Sequence, residues 1–505
     1  MNTIKYISLA VATMTCAACS LDYEPIDTYS DLTYSEPNAD NSEDEDEVVF
    51  PDRASVESYM QKIYKQMNDR QEHWYLDQLL IAEAHSDNAY AGTTGAEVVP
   101  YEDNSIDGSN SVLNRDWERF MEDAALATKF IVNINKVADN SLSADEQRVY
   151  KAQAQIFRAM IWFDMTRLWG NIPIITTIAA DITSDNIEEA YEAYFPSQNT
   201  IAEAYAAIEA DLLEAVENAP SQTSDKTIFT KNVARTLLAK IYAEKPIRDY
   251  NKVIEYVDQI TADGFELDTF DNLFGFNDDT KDAVARNSKE SILEIQFFPG
   301  SGNWATWMFG RNLANYDENF TWAKWVTPSR DLINLYDKNG DVARKNQSIV
   351  YYACSWSNYY PMNEYPFMYK LRSGNNSIIR YRYADVLLLK AEALIANGKL
   401  ADAAAIINQI RHRAELPNLD ASTASNADDL LDAYLDERRM ELAFEAQRWY
   451  DLVRLDKVEE VMNAVYAKDS GRAAQRNLFS QNSYLMPLPQ PVLDTNDNLV
   501  QNPGY

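Results

Sequence analysis

The sequence predicts a mainly α fold: a degenerate tetratricopeptide-like scaffold of helix pairs, interrupted by a loop-rich, mixed insertion and closed by an extended C-terminal tail. Three observations carry this expectation. Apolar residues recur at steps of three and four from about residue 54 to 260, and again from 381 to 454. Alanine occupies close-packing positions such as Ala202, Ala206, Ala234 and Ala239, in the manner of stacked helix pairs, although no strict tetratricopeptide consensus repeats. Between 265 and 378 the helical period largely stops, and Gly, Asn, Asp and Ser become frequent.

The elements follow in order. Lys5 is the only charged side chain before an apolar run at 7–12, which is too short to span a bilayer. Small residues then lead to Cys19, so 1–18 reads as a secretory signal peptide. Ala17-Ala18-Cys19 resembles a bacterial lipobox, with cleavage before Cys19 and acylation of its sulfur; Cys16 stands where Leu is usual. Acylation at Cys16, or cleavage to a free soluble protein, are the alternatives. Residues 19–52 are polar and acidic without an apolar period, and read as a lipidated tether with a reach of roughly 30 Å.

Residues 53–264 form the N-terminal helical scaffold. Helices are expected at 54–67, 117–137, 144–169, 200–216, 231–243 and 250–260, with Ser143 and Glu146 as a capping box. Residues 265–378 are the loop-rich, aromatic ligand-binding region, with a strand near 292–297 and one helix near 329–336. Residues 379–505 hold C-terminal helices at 381–396, 401–413 and 427–454, then the tail. Its prolines argue against helix from 484 onward, while its Tyr, Leu, Met and Val argue for docking on the body.

Composition excludes several functions. The chain carries 45 basic and 79 acidic residues, a net charge of −34, which repels nucleic acid. With Cys19 lipidated and Cys16 removed, Cys354 is alone and no disulfide can form in the mature chain. Three His and isolated Cys leave no Cys/His zinc constellation. No cofactor is expected. The segment 337–341 faintly suggests a structural calcium loop, but it lacks an EF-hand register and distal Glu. Gly-rich phosphate loops, His-Glu-x-x-His and Gly-x-Ser-x-Gly are absent.

Glu437, Arg438, Glu441, Glu445 and Arg448 could suggest paired catalytic carboxylates. Helical spacing puts Arg438 and Glu445 in a stripe with Leu431, Leu435, Leu442 and Trp449, so a structural ion-pair network is expected, with local i, i+3 pairs. The aromatics point to binding. Ten Trp and 31 Tyr are many, and the stretch 304–369 concentrates them, interleaved with Asn. Trp and Tyr faces stack on the apolar C–H face of a sugar, while Asn, Asp and Arg bond its hydroxyls. Trp304, Trp307, Trp322, Trp356 and Tyr359 are therefore candidate ligand contacts, against the alternative that several bury the loops on the scaffold.

Four long motifs carry a family resemblance. They lie at 157–173 (Phe157-Arg158-Ala159 through Phe163-Asp164 to Trp169-Gly170-Asn171-Ile172-Pro173), 380–393 (Arg380-Tyr381-Arg382-Tyr383-Ala384-Asp385-Val386), 407–414 and 437–452. With the terminal Asn-Pro-Gly-Tyr and the lipidation signal, the chain resembles the RagB/SusD family of outer-membrane nutrient-binding lipoproteins. Ala446 stands where that family has Gly, a change expected to keep the helix. The resemblance implies a non-catalytic glycan binder at the outer membrane, lipid-anchored and facing the exterior, with a SusC-type TonB-dependent transporter as partner. It also implies that the loop after the early helices contributes to the ligand face, which makes Trp74, Tyr75 and Asn88 candidates. Peptide import and surface glycosidase activity remain as alternatives.

Overall fold

The structure is a computed structural model that describes residues 50–179, 187–221, 223–300, 302–306 and 324–505. The signal segment, Cys19 and most of the tether lie outside the described residues, as do Trp307 and Trp322. Residues 48–505 form one unit.

Helix α1 (Arg53–Asp69) opens the body, N-capped by Asp52 in a box with Ser55. The chain before it is already docked: Phe50 is buried against Tyr59 and Phe130, and its carbonyl accepts from Ala138 N. The body therefore starts before the end of the expected tether. A wide-turned helical stretch follows through Glu72–Leu76, Asp77–Leu79 and Leu80–Ala84. Helix α2 (Ser111–Asn133) begins earlier than expected, because the Asn110 side chain caps Val112 N and Leu113 N. Helix α3 (Ala144–Trp169) is the hydrophobic axle. The Ser143–Glu146 capping box fixes its start, and Gly170, at φ +73, ends it in a conformation that costs a β-carbon residue dearly.

Helices α4 (Ile201–Asn218), α5 (Lys231–Ala243), α6 (Tyr250–Ala262), α7 (Tyr383–Ala396) and α8 (Leu400–Arg413) then pack as successive neighbours, α3 on α4, α4 on α5, α5 on α6, α6 on α7 and α7 on α8. Ala234 and Ala239 are fully buried where the helices meet, as expected, but Ala202 and Ala206 lie on the exposed face of α4, where Ala204 makes the close contact instead. Among the described residues no helix is long and apolar enough to cross a membrane.

The region 265–378 is built from short pieces. Strand Ser291–Ile295 pairs antiparallel with Ile378–Arg382, Ala89–Tyr90 with Thr327–Pro328, and Ile349–Tyr352 with Tyr365–Met368. Besides Arg330–Asn339 it holds two helical turns that the sequence pattern did not reveal, Phe270–Phe274 and Val342–Ser348. The segment 337–341 is a helix end. Gly340 is left-handed, and Asp341 caps Arg344 N and pairs with its guanidinium, so that carboxylate is spent on the protein.

Two expectations need correction. The helix expected at 427–454 is two, Ala427–Leu442 and Arg448–Arg454. Between them Phe444 and Ala446 adopt φ +62 and +57. The family's glycine at this position thus serves a left-handed turn, and Ala446 occupies it at a cost of about 1–2 kcal/mol. The tail also contains a short helix, Gln490–Thr495, with proline in its first turn, where the missing N–H costs nothing. The tail docks on the body at the end of α3. Met486 N donates to Leu168 O at 2.7 Å, Trp169 Nε1 to Pro487 O at 3.2 Å, and Asn502 Nδ2 bridges Trp169 O and Met486 O.

Candidate functional site

The charged motif residues are interior. Arg382, almost fully buried, meets Glu290 at 2.7 Å, Glu441 at 2.6 Å and Glu445 at 2.5 Å. Glu437 bridges Arg344 at 2.7 Å and Arg411 at 2.9 Å. Arg438 joins Asp385 and Asp451, each at 2.6 Å. Arg448 clasps both oxygens of Asp87, at 2.8 and 2.9 Å. The partners come from distant elements rather than from the next helical turn, so the network ties the C-terminal helices to the N-terminal stretch. Burial opposes ionisation of Asp87, but Arg439 and Arg448 outweigh it and hold the carboxyl below its usual range. For Glu441 the guanidinium groups of Arg413, Arg382 and Arg344 do the same. A small void beside Arg167, Lys240, Glu244 and Arg438 lies within this network. Within its walls Lys240 donates to Gln447, and Asp451 pairs with Arg438 and Arg454.

Three candidates from the early helices are also interior. Trp74 is 0 % exposed, and its Nε1 donates to Asp123 Oδ2 at 2.9 Å, which also meets His73 Nε2. Asn88 is buried between Glu83, which accepts from its Nδ2 at 2.8 Å, and Arg439, which donates to its Oδ1 at 2.8 Å. Tyr75 is buried against Phe297. None of the three turns a face to solvent, so direct ligand contact is withdrawn for them. The loop expected to expose them instead folds inward around Val99–Asp103.

Tyr75 does reach a candidate indirectly. Its hydroxyl donates to Gln71 Oε1, which also accepts from Trp304 N at 2.7 Å. Asn303 beside it is pinned to Ser373 O, Gly374 O and Asn376 O. Trp304 is thereby fixed by its backbone while its side chain stays 41 % exposed. Phe298, exposed nearby in sequence, lies under the Arg286 guanidinium at 4.3 Å.

A second aromatic station surrounds Tyr359. Its ring stacks on Tyr90 at 4.6 Å and 11°, and its hydroxyl donates to Glu102 at 2.6 Å. Tyr360 donates to Pro328 O at 2.7 Å, and Arg330 lies over its ring at 4.4 Å. Trp356 is half-buried under the Lys324 ammonium at 3.7 Å, and Cys354 Sγ donates to its carbonyl. Tyr359, Tyr360 and Trp356 each keep part of their surface open. Arg330 had no signal in the sequence, because its neighbours Tyr90 and Gly471 are far away along the chain. The arrangement offers half-open aromatic faces with hydrogen-bonding edges, suited to weak stacking on a ring rather than to bond cleavage.

The comparisons with known proteins agree with this architecture. A sequence model of the SusD family matches residues 341–505, and one described as starch-binding associating with outer membrane matches 38–243. SusD-like protein P2 of Formosa agariphila is 28% identical over 441 residues, covering 78% of this chain and 81% of the relative. Among solved structures, the surface glycan-binding protein A from Bacteroides uniformis superposes with a TM-score of 0.71 at 18% identity, over 89% of this chain and 99% of that one. A laminarin binding SusD-like protein superposes with a TM-score of 0.70 at 20% identity, over 90% of this chain and 100% of that one. With models of this family matching 38–243 and 341–505 and SusD-like relatives along most of its length, the chain belongs to the SusD/RagB family.

Proposed function

We propose that this protein is a cell-surface, lipid-anchored glycan-binding protein without catalysis of its own. It captures oligo- or polysaccharide on its loop aromatics and delivers it to a SusC-type TonB-dependent outer-membrane transporter. The observation that carries the reading is the contrast in exposure: Trp304, Trp356 and Tyr359 keep open faces, while the carboxylates of the charged motif are buried and ion-paired. A glycosidase needs two carboxyl groups flanking an accessible cleft, and the motif carboxylates are not accessible. Support for carbohydrate as the ligand comes from the family description of starch binding at the outer membrane, and from relatives named for laminarin and surface glycan binding. Cys19 is the anchor in this reading, and Trp307 and Trp322 remain further candidate contacts.

Calorimetric titration of the mature chain against a glycan panel tests it. Binding to a glycan that is lost in Trp304→Ala or Tyr359→Ala is the expected result. Binding to peptides and to no glycan would replace it with peptide import, and release of product from an oligosaccharide would make the protein an enzyme. Delivery is tested separately by co-purification of the transporter, which Cys19→Ala should abolish from membranes.

A further inference from the structure

The chain carries 79 acidic and 45 basic residues, so carboxylates outnumber the arginines that could pair with them. Ion pairs hold most described arginines; Arg330, like Arg248 and Arg372, has no carboxylate partner among the described residues and bonds oxygen atoms of neutral groups instead. Its backbone N and Nη1 donate to the Tyr90 hydroxyl at 3.0 and 3.2 Å, and Nη2 donates to Tyr359 O. A guanidinium carries five N–H donors, so three of them have no protein acceptor among the described residues. The side chain is half-buried, with its plane near the Tyr360 ring.

The position is built rather than incidental. A Cβ at 471 would overlap Arg330 Nη1, so Gly471 keeps the guanidinium's place open. Arg472, next in the chain, stands 5.0 Å from the Tyr90 ring with a side chain 1 % exposed. All three of its guanidinium nitrogens lack a hydrogen-bond partner, and its nearest carboxylate, Asp469, is 3.8 Å away. The acids of the cluster are committed elsewhere. Asp469 Oδ2 accepts the Tyr90 hydroxyl at 2.6 Å, while Glu102 accepts Tyr359 Oη, Ala91 N and Ala473 N. Two guanidinium groups with unspent donors thus converge on one aromatic station.

We propose that the Tyr359–Tyr360 station takes an anionic sugar, whose carboxylate or sulfate meets Arg330 while its ring lies on the tyrosines. Arg suits this role because its planar fork grips a carboxylate or sulfate through two parallel hydrogen bonds. Arg472 acts from behind Tyr90 as a positioning charge. The inference rests on the glycan-binding reading and narrows its ligand class. It also runs against the global charge of −34, which repels a polyanion at long range but is screened beyond about 8–10 Å at physiological salt.

The test titrates the whole mature chain with three oligosaccharides: an oligogalacturonate, a sulfated galactan oligomer and a neutral galactan oligomer. One acidic probe should bind about tenfold or more tighter than the neutral one, the scale of one charge-assisted hydrogen bond. Which acidic probe wins distinguishes carboxylate from sulfate. Arg330→Gln should erase the preference, Arg330→Lys should keep part of it, and Gly471→Ala, which displaces Nη1, should weaken it with every charge retained. Neutral sugar binding as tightly as both acidic probes, or an undiminished preference in Arg330→Gln, would overturn the inference and leave glycan binding standing. A folded chain that binds none of the three would also overturn the inference, while the wider glycan panel decides the glycan-binding reading separately.

Discussion

The scaffold interior and the aromatic loops use the same residue types to opposite ends. Inside, Trp74 is sealed and its indole N–H is spent on Asp123; on the loops, Trp304 is gripped only through its backbone and its ring is left open. Inside, Arg438 and Arg448 are matched to carboxylates; at the loops, Arg330 is matched to none among the described residues. Residue type therefore does not assign a role in this chain. What separates the two regions is whether the side chain is sealed inside the protein or left open to solvent.

Mutations can separate the two regions, and the largest effect is expected inside. Arg438→Ala strands Asp385 and Asp451, both buried, and should cost about 3–5 kcal/mol in urea unfolding. Trp74→Ala empties a sealed site and should cost about the same. If either variant melted like the parent, the interior would not be what holds the fold.

Acid should act on the interior next. Asp87, Asp385 and Glu441 are held below their ordinary values of 3.8 to 4.5. Folded carboxyl groups of depressed pKa contribute stability that is present above the unfolded value and lost as pH falls through the folded one. The melting temperature should therefore drop progressively as pH is lowered below about 4, and Asp87→Asn should blunt that drop.

Smaller effects are expected at the turn and at the loops. Ala446→Gly relieves a left-handed alanine and should stabilise the protein by about 1 kcal/mol. Trp304→Ala should change stability by less than about 0.5 kcal/mol while weakening glycan binding about tenfold, near 1.4 kcal/mol.

The scaffold was legible in the sequence because its signals are local. The 144–169 and 231–243 helices match their expected limits, since apolar steps run through both and the Ser143–Glu146 box fixes the start of the first. The break at 443–447 was not, because an alanine in place of glycine hides the left-handed turn. The tail's docking site was equally hidden: Trp169 and Pro487 lie 318 positions apart. For the candidate site, aromatic enrichment marked a stretch but could not sort open rings from sealed ones. Trp74 and Asn88 looked like loop residues, yet Asp123, Glu83 and Arg439 draw them inward through contacts that no local pattern encodes.

The most direct test of the contrast pairs two variants, Trp304→Ala and Trp74→Phe, the second chosen so that the fold survives. Each is melted and titrated with the glycan that the parent binds. Trp304→Ala should lose affinity without losing melting temperature, and Trp74→Phe should lose melting temperature without losing affinity. The reverse pattern, or equal loss of both properties in both variants, would contradict the division between a sealed interior and an open aromatic face.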